Sequence, residues 1–537
     1  MPTLNWIGKD AVVNHHLEVP FHLLKDVPEL SCGNPGTGNL IVEGDNLVAL
    51  KALLPYYAGK VKCICIDPPY NTGNEGWAYN DNVNSPAIKK WLGELVGKEG
   101  ETLDRHDRWL SMMYPRLALL REFLSEDGVL VAIIGTDELA HLGILLDEIF
   151  GSNNRMAIAA WETSYTANQT AMHISETTDF VLIYANNFGA AKIGKVDRND
   201  KQIASFKNPD GDLRGPWKAE NLSAGKFYGA GQFEICGPTG LLFRPPPGRY
   251  WRCNEEQYKQ WLGEGRITFG KAKTGRPMLK KYRDELTQGL TPTTWWKHED
   301  FGTAKEGSLE LKGIFGGDAV FSTPKPVRLI ERILQIATNP GDLVLDSFAG
   351  SGTTGHAVLK MNAAAKEAAA RRFILLEMEP KIAAAITRER VKRVVEGYPN
   401  AKGAAVAGLG GGLRYVTLGD ALFDEHGRIN ESKVRFADLA RHVYFSETGE
   451  PLPKERISAK TPLLGVHHGR AVYLLYNGIL KDKSVDGGNV LTTTTLEDLP
   501  AHDGPKVVYA AGCRFSKARL EREGITFKQT PYAIRTR

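Results

Sequence analysis

The apolar positions of the chain fall into short continuous runs separated by longer stretches of helical spacing. Asn39-Leu-Ile-Val-Glu43 reads as a strand ending in a Gly44-Asp45 turn, and Leu47, Leu50, Leu53 and Leu54 give Asn46 to Tyr57 a helical period. Val61 to Ile66 is a continuous apolar run stopped by Asp67-Pro-Pro-Tyr70, the pattern of a strand buried on both faces. A polar loop follows to about residue 104. Next come an amphipathic helix over Arg108 to Leu124, a strand over Gly128 to Ile134, a helix over Glu138 to Phe150 stopped by Gly151, and a strand over Phe180 to Tyr184. Pro, Gly and aromatic residues then rise and the helical period fades from about 190 to 315. The alternation resumes with helix Lys325 to Thr338, strand Leu343 to Asp346, helix Thr353 to Arg371, strand Phe373 to Glu377 and helix Lys381 to Val394.

This alternation predicts an α/β domain with a mostly parallel sheet and helices on both faces. It predicts five segments: an N-terminal piece 1–36, one half of the core over 37–190, an insert over 191–315, the other half over 316–405, and a smaller C-terminal domain over 406–537. Gly-rich Gly408-Leu-Gly-Gly-Gly412 reads as the linker to that last domain, which carries strand-like pieces such as Val472 to Tyr476 and Lys506 to Ala510.

Composition narrows the class. With 42% hydrophobic and 24% charged residues among 537, the chain is neither disordered nor collagen-like. Six cysteines without a Cys-x-x-Cys are too few for a disulfide framework and predict reduced thiols. The longest strongly apolar run, Val129 to Ile134, is far too short to span a bilayer, and Met1-Pro-Thr-Leu-Asn-Trp6 lacks the basic head and apolar core of a signal peptide. The expectation is a cytoplasmic protein without a membrane segment. The histidines, including His15-His16 and His467-His468, show no metal-ligand spacing, so no metal site is expected.

The net charge of +4 conceals an asymmetry. Residues 191–300 carry 20 basic and 13 acidic side chains, while the rest carry 47 basic and 50 acidic. Lys271, Lys273, Arg276, Lys280, Lys281 and Arg283 fall within 13 residues without an acid, with Trp251, Trp261, Tyr282, Trp295 and Trp296 nearby in sequence. A basic, aromatic-rich insert in an otherwise balanced chain points to a polyanion, with lysines on phosphates and arginines able to read guanine edges.

Two motifs carry the chemistry. Asp346-Ser-Phe348-Ala-Gly350-Ser-Gly352-Thr353-Thr354 lies between a strand and a helix, where glycines admit a ligand close to the backbone and a helix N-terminus favours an anion. Thr353 or Thr354 is expected to cap that helix. Glu377, at the end of the next strand, is placed to accept hydrogen bonds from ribose hydroxyls, with Glu379 as the alternative. The second motif is Asp67-Pro68-Pro69-Tyr70-Asn71-Thr-Gly73. An exocyclic amine of a nucleobase is a weak nucleophile because its lone pair is delocalised into the ring. A carboxylate (Asp67) and a backbone carbonyl (Pro68) accepting its two hydrogens would turn it toward tetrahedral geometry, with Tyr70 stacking on a base flipped out of the duplex.

Together these motifs resemble the amino-group DNA methyltransferases that use S-adenosylmethionine. The order, with the catalytic motif first, then the basic insert, then the cofactor motif, is similar to the β class. More closely, the chain resembles the modification (Mod) subunit of Type III restriction-modification systems through Asn5-Trp-Ile-Gly-Lys9, Gly44-Asp45-Asn46-Leu47, Phe321-Ser-Thr-Pro-Lys325-Pro326, Gly410-Gly-Gly-Leu-Arg-Tyr415 and Phe527-Lys-Gln-Thr-Pro-Tyr532. The resemblance implies a Rossmann-like S-adenosylmethionine-dependent fold with an inserted target-recognition domain and a smaller α+β C-terminal domain. It implies that Asp45 contacts the cofactor adenine and that Thr323 and Lys325 lie near its methionine end. Asp346, Phe348, Gly350, Gly352 and Thr353 would form its loop, and Asp67 would stand between both ligands. It further implies double-stranded DNA as substrate, a homodimer, and a separate helicase-nuclease restriction subunit as partner. Asp at the head of the catalytic motif, where cytosine enzymes commonly carry Ser, favours adenine N6 over cytosine N4. Without a Pro-Cys dipeptide there is no thiolate for cytosine C5 chemistry, and without GxxxxGK[ST] there is no P-loop. The remaining alternative of another class is a catalytically silent DNA-binding specificity subunit.

Overall fold

The computed structural model describes residues 3–72, 105–169, 171–198, 200–286, 289–365, 369–423, 429, 433–450, 452–458, 460–476, 479 and 488–530. The polar loop expected up to residue 104, Gly73 of the catalytic motif, and Pro531 and Tyr532 of the last matching segment lie outside the described residues. The chain divides into two compact units, Met1–Gly194 with Thr293–Arg537, and Lys195–Pro292.

The first unit is organised on one large sheet. Its strands are β1 (His22–Asp26), β2 (Leu40–Glu43), β3 (Val61–Ile66), β4 (Leu124–Ile134), β5 (Arg155–Glu162), β6 (Thr178–Ala185), β7 (Trp295–Trp296), β8 (Leu343–Asp346), β9 (Arg372–Glu377) and β10 (Gly412–Ala421). They lie in the order β1-β10-β2-β9-β8-β3-β4-β6-β5-β7. From β10 to β4 every pairing is parallel; β6 runs antiparallel to both β4 and β5. Helices α1 (Asn46–Tyr57), α2 (Arg105–Phe123), α3 (Thr136–Phe150), α4 (Val327–Ala337), α5 (Thr353–Ala364) and α6 (Arg388–Glu396) connect or flank the strands. This is a doubly wound, Rossmann-like α/β arrangement.

The central strands read as they do because they are covered on both sides. All six residues of β3 and all four of β8 are buried, which suits continuous Val, Ile, Leu and Cys rather than alternation. On α4, Ile330, Ile333, Leu334 and Ala337 share one face at helical spacing and are almost fully buried. Burying each Ile or Leu side chain of this kind contributes about 1.5–3 kcal/mol. Neighbours β3 and β8 come from opposite sides of the insert in sequence, so their carboxyl ends bring Asp67 and Asp346 to one crevice. The topology of open α/β sheets places ligands in such a crevice.

Several elements differ from the pattern. Strands β1 and β10 carry no strong apolar run, and the run in β5, Met156 to Trp161, is Ala-rich and weakly hydrophobic. Strand β10 follows the Gly-rich segment directly and enters the main sheet beside β2, so residues 412–421 belong to the core rather than to a detached domain. Helix α5 ends at Ala364, and the helix expected over Lys381 to Val394 is interrupted by a π-helical turn over Ala383–Thr387. Beyond it a separate four-stranded sheet (Leu463–His467, Arg470–Leu474, Lys506–Ala510, Ile525–Gln529) supports the α+β character of the C-terminal part.

The second unit begins close to the expected start of the insert but ends at Pro292 rather than 315. Trp295 and Trp296 form β7 against Ala160 and Trp161 of the main sheet, and Trp296 stacks on Phe301 at a centroid distance of 4.5 Å. These two tryptophans are therefore removed from the aromatic set assigned to the insert. Within the unit, Trp217–Asn221, Met278–Tyr282 and Ile267–Thr268 form an antiparallel sheet over a small core that includes Leu222, Trp251, Tyr258 and Phe269.

Candidate active site

The catalytic motif leaves the carboxyl end of β3 as a partly buried loop, with Pro68 and Asn71 buried. Lys325 Nζ donates to Asp67 Oδ2 at 2.7 Å. Asp67 Oδ1 is enclosed by protein and accepts no hydrogen bond among the described residues. Burial pushes the Asp67 carboxyl above its ordinary range, and Lys325 opposes that shift. Trp109 Nε1 donates to the Pro69 carbonyl at 2.7 Å, which pins the loop to α2. Tyr70 Oη donates to Asp179 Oδ2 at 2.8 Å. The Tyr70 ring lies 4.9 Å from the Lys325 ammonium, and it packs so close to Gly135 that a Cβ there would sit 2.8 Å from Cδ2.

At the end of β8, Asp346 Oδ1 accepts the Phe348 N–H at 3.0 Å and Oδ2 accepts the Thr354 hydroxyl at 2.6 Å. Among the described residues no cation touches it, and burial pushes its carboxyl up to about 7. Gly350 (φ 49°) and Gly352 (φ 75°) adopt left-handed backbone, where a side chain would be strained. A Cβ on Gly352 would approach the Thr387 carbonyl at 3.0 Å, and one on Gly350 would meet the Phe321 ring at 3.0 Å. Contrary to the capping expectation, the N-cap of α5 is Gly352, with no side-chain cap. The Thr354 hydroxyl is drawn instead to Asp346, and Thr353 Oγ1 donates to the Lys325 carbonyl at 3.2 Å.

Three cavities meet along this crevice. A narrow one of about 30 Å³ is lined by Asp67, Thr323, Lys325, Asp346, Phe348, Gly350 and Thr353. Phe321 separates it from an apolar cavity of about 500 Å³ that also touches Leu311, Val320, Ile382 and Ile386. On the side of the catalytic loop, a cavity of about 390 Å³ is lined by Tyr70, Trp161, Thr163, Asp179, Thr323 and Lys325. Thr323 and Lys325 thus face both the cofactor loop and the Tyr70 side, with Asp67 held against Lys325.

Two expected cofactor residues are engaged elsewhere. Glu377 is buried, and its two oxygens accept N–H groups of Gly350 and Glu379, each at 2.9 Å, so it shapes the glycine loop. Asp45 caps α1 through Leu47 and Val48 and pairs with Arg116 at 3.1 Å; it lines none of these cavities. In the second unit, Lys271, Lys273, Arg276 and Arg283 are exposed and Lys281 half-buried, whereas Lys280 is buried. The Lys280 ammonium pairs with Asp210 at 2.6 Å and Asp212 at 3.0 Å, an internal role in place of the surface one expected.

The structure adds residues that motif reading did not reach. Asp179 lies at the start of β6, ahead of its apolar run, and only the fold brings it to Tyr70. Arg390 is fully buried and donates to Ser351 Oγ at 3.0 Å and Thr353 Oγ1 at 2.7 Å; burial lowers its pKa to about 10. A charge on the apolar face of a helix was the available signal for it.

A family model described as DNA methylase (N6_N4_Mtase) matches residues 61–388. Curated relatives include the Type III restriction-modification enzyme StyLTI Mod subunit of Salmonella typhimurium, 31% identical over 73% of this chain and 62% of that protein. The EcoPI Mod subunit of Escherichia phage P1 is 31% identical over 71% of this chain and 64% of its own length. The EcoP15I Mod subunit of Escherichia coli is 27% identical over 74% and 66%, respectively. The chain therefore spans just under two thirds of the length of the relatives it matches. With the family model covering more than half of the sequence, and both motifs meeting in one crevice, the chain belongs to the N6/N4 DNA methylase family.

Proposed function

We propose that the chain transfers the methyl group of S-adenosylmethionine to the N6 amine of adenine in duplex DNA, at a specific site and after base flipping. One observation supports this most strongly: among the described residues Asp67 Oδ1 is a buried acceptor without a donor, between a glycine-rich ligand loop and a wide cavity beside Tyr70. A buried acceptor left unsatisfied costs about 1–3 kcal/mol, which a ligand N–H at that position would recover.

The residues divide the work. Asp67 Oδ1 and the Pro68 carbonyl accept the two hydrogens of the amine and localise its lone pair. Lys325 holds the other carboxylate oxygen, fixes its orientation and favours its ionised form. Tyr70, oriented by Asp179 and the proline pair, offers a ring for the flipped base. Thr323, Lys325, Asp346, Phe348, Gly350, Gly352 and Thr353 would hold the cofactor, and Glu377 would act through Gly350. The narrowness of the cavity at that loop means that the Phe321 ring must turn for a ligand of this length. S-adenosylmethionine supplies an electrophilic methyl group when bound. The amine that accepts the methyl group would lose a proton, for which Asp67 is the base within reach, and the cofactor, its sulfur–methyl bond broken, would leave as a neutral thioether. Such direct transfer draws mainly on positioning and electrostatics.

The three Mod relatives support a Type III setting; within that reading the chain would act as a homodimer on cytoplasmic DNA together with a separate helicase-nuclease subunit. Lys271, Lys273, Arg276, Lys281 and Arg283 would contact the DNA. The test is incubation with duplex DNA and methyl-labelled S-adenosylmethionine, followed by nucleoside analysis. Labelled N6-methyladenine is expected. Label only in N4-methylcytosine would overturn the adenine reading, and tight DNA binding without incorporation would favour the silent subunit.

A further inference from the structure

Behind the catalytic loop, three side chains that the methyl-transfer site does not use converge. Glu138, on α3, is fully buried. Its Oε1 lies 2.7 Å from His106 Nδ1 on α2, and its Oε2 lies 2.7 Å from His141 Nδ1, one turn further along α3. One potential ligand atom from each of the three lies within 4.8 Å of the others. His106 and Glu138 are 32 residues apart in the chain, so no spacing in the sequence announced the cluster.

Its chemistry is that of a cation site. Among the described residues the partners of Glu138 are two imidazoles and the Asn71 carboxamide; no Lys or Arg touches it. Arg105, close by, directs its guanidinium to Asp137 and the Asn71 carbonyl. A carboxylate so deeply buried is costly unless a cation meets it. The two histidine side chains are 29% and 32% exposed, which leaves an entry path from solvent while the carboxylate end stays enclosed. Two imidazoles and a carboxylate form a donor set suited to zinc-class ions, whose remaining position a water would take.

We propose that His106, Glu138 and His141 bind a divalent transition-metal ion of the zinc class. The site is structural: it joins α2 to α3 and, through Glu138, fixes Asn71. That residue immediately follows Tyr70 and holds a left-handed backbone (φ 57°) with its side chain buried. A carboxylate locked by a metal is a fixed acceptor for the Asn71 amide, as outer-shell bonds around metal sites commonly are.

The experiment uses the full chain without an affinity tag, stripped with EDTA, reloaded with ZnCl2 and desalted. Metal per chain is measured for wild type, His106→Ala and His141→Ala, both at partly exposed positions. Wild type is expected to retain about one more zinc per chain than either variant. Loading with Co2+ should give visible d–d absorption in wild type that both variants lose. EDTA should lower the thermal midpoint of wild type and leave the variants unchanged. Equal zinc in all three proteins, or no cobalt absorption in wild type, would overturn the proposal. Should one variant fail to fold by circular dichroism, the other variant and the wild-type cobalt spectrum still decide. Neither DNA nor S-adenosylmethionine enters these measurements, so their outcome is separate from that of the methyl-transfer reading.

Discussion

Replacing Asp346 by Asn should stabilise the protein in the absence of ligands, and by an amount that depends on pH. The Asp346 side chain is buried, accepts two hydrogen bonds and, among the described residues, has no cationic partner. Burial carries its carboxyl from 3.8 to about 7. A raised acid binds more protons in the folded than in the unfolded state between these values. Its contribution is therefore fully favourable below about 3.8 and is lost as pH rises through about 7. The corresponding penalty on the wild type approaches ~4 kcal/mol at pH 8 and is about 1.5 kcal/mol at pH 5. An Asn keeps an oxygen for the Phe348 N–H, and the Thr354 hydroxyl can rotate to accept from its amide. The stability gain of Asp346→Asn should thus widen by about 2.5 kcal/mol from pH 5 to pH 8, a shift approaching 1 M in a urea midpoint for a slope near 3 kcal/mol/M. Urea unfolding of both proteins at the two pH values measures it. A gap that is constant with pH, or that narrows as pH rises, would refute the assignment of Asp346 as an uncompensated buried carboxylate. The wild type accepts this cost because the acid serves the ligand loop, the usual conflict between stability and binding sites.

Lys325→Met should move the acid limb of the pH–kcat profile to higher pH, because Lys325 lowers the Asp67 carboxyl against the effect of burial; an unmoved limb would separate Lys325 from the ionisation of Asp67. Gly352→Ala should weaken S-adenosylmethionine at least tenfold by calorimetry, since a side chain at φ 75° costs about 1–2 kcal/mol before its 3.0 Å approach to the Thr387 carbonyl is counted. Neutralising Lys271, Lys273 and Arg276 together should weaken DNA binding and reduce the slope of log K against log salt by about one for each phosphate contact removed. Lys280→Met should instead destabilise the insert by about 1 kcal/mol, read in urea unfolding, because Asp210 and Asp212 lose a cationic partner while Asp212 keeps Arg214 and Tyr282 and Asp210 keeps Trp217.

Much of the centre of the molecule was legible in the chain, because its parallel strands are buried on both faces and must be apolar throughout. Helix α1 and strand β8 follow the apolar pattern to the residue. The two motifs were legible for a different reason: prolines and glycines mark where the backbone must turn beside a ligand. Strands β1, β5 and β10 were not, since their apolar content is set by neighbours that only the folded sheet supplies. The insert boundary was misplaced because Trp295 and Trp296 look like the aromatics before them, yet they pair with β5. Asp45 and Glu377 stand at the ends of the right strands, but helix capping, Arg116 and the Gly350 N–H occupy their carboxylates. Asp179 and Glu138 depend on contacts across more than sixty residues with Tyr70 and Asn71, which no local pattern encodes.

The proposed methyl transfer turns on Asp67, and single-turnover transfer of labelled methyl to duplex DNA by wild type, Asp67→Asn and Asp67→Ala tests it most directly. DNA and S-adenosylmethionine affinities are measured alongside. Both variants are expected to bind DNA yet transfer at least 100-fold more slowly, with N6-methyladenine as the wild-type product. Equal rates in wild type and Asp67→Ala, with both ligands bound, would contradict the claim that the buried Asp67 oxygen activates the target amine.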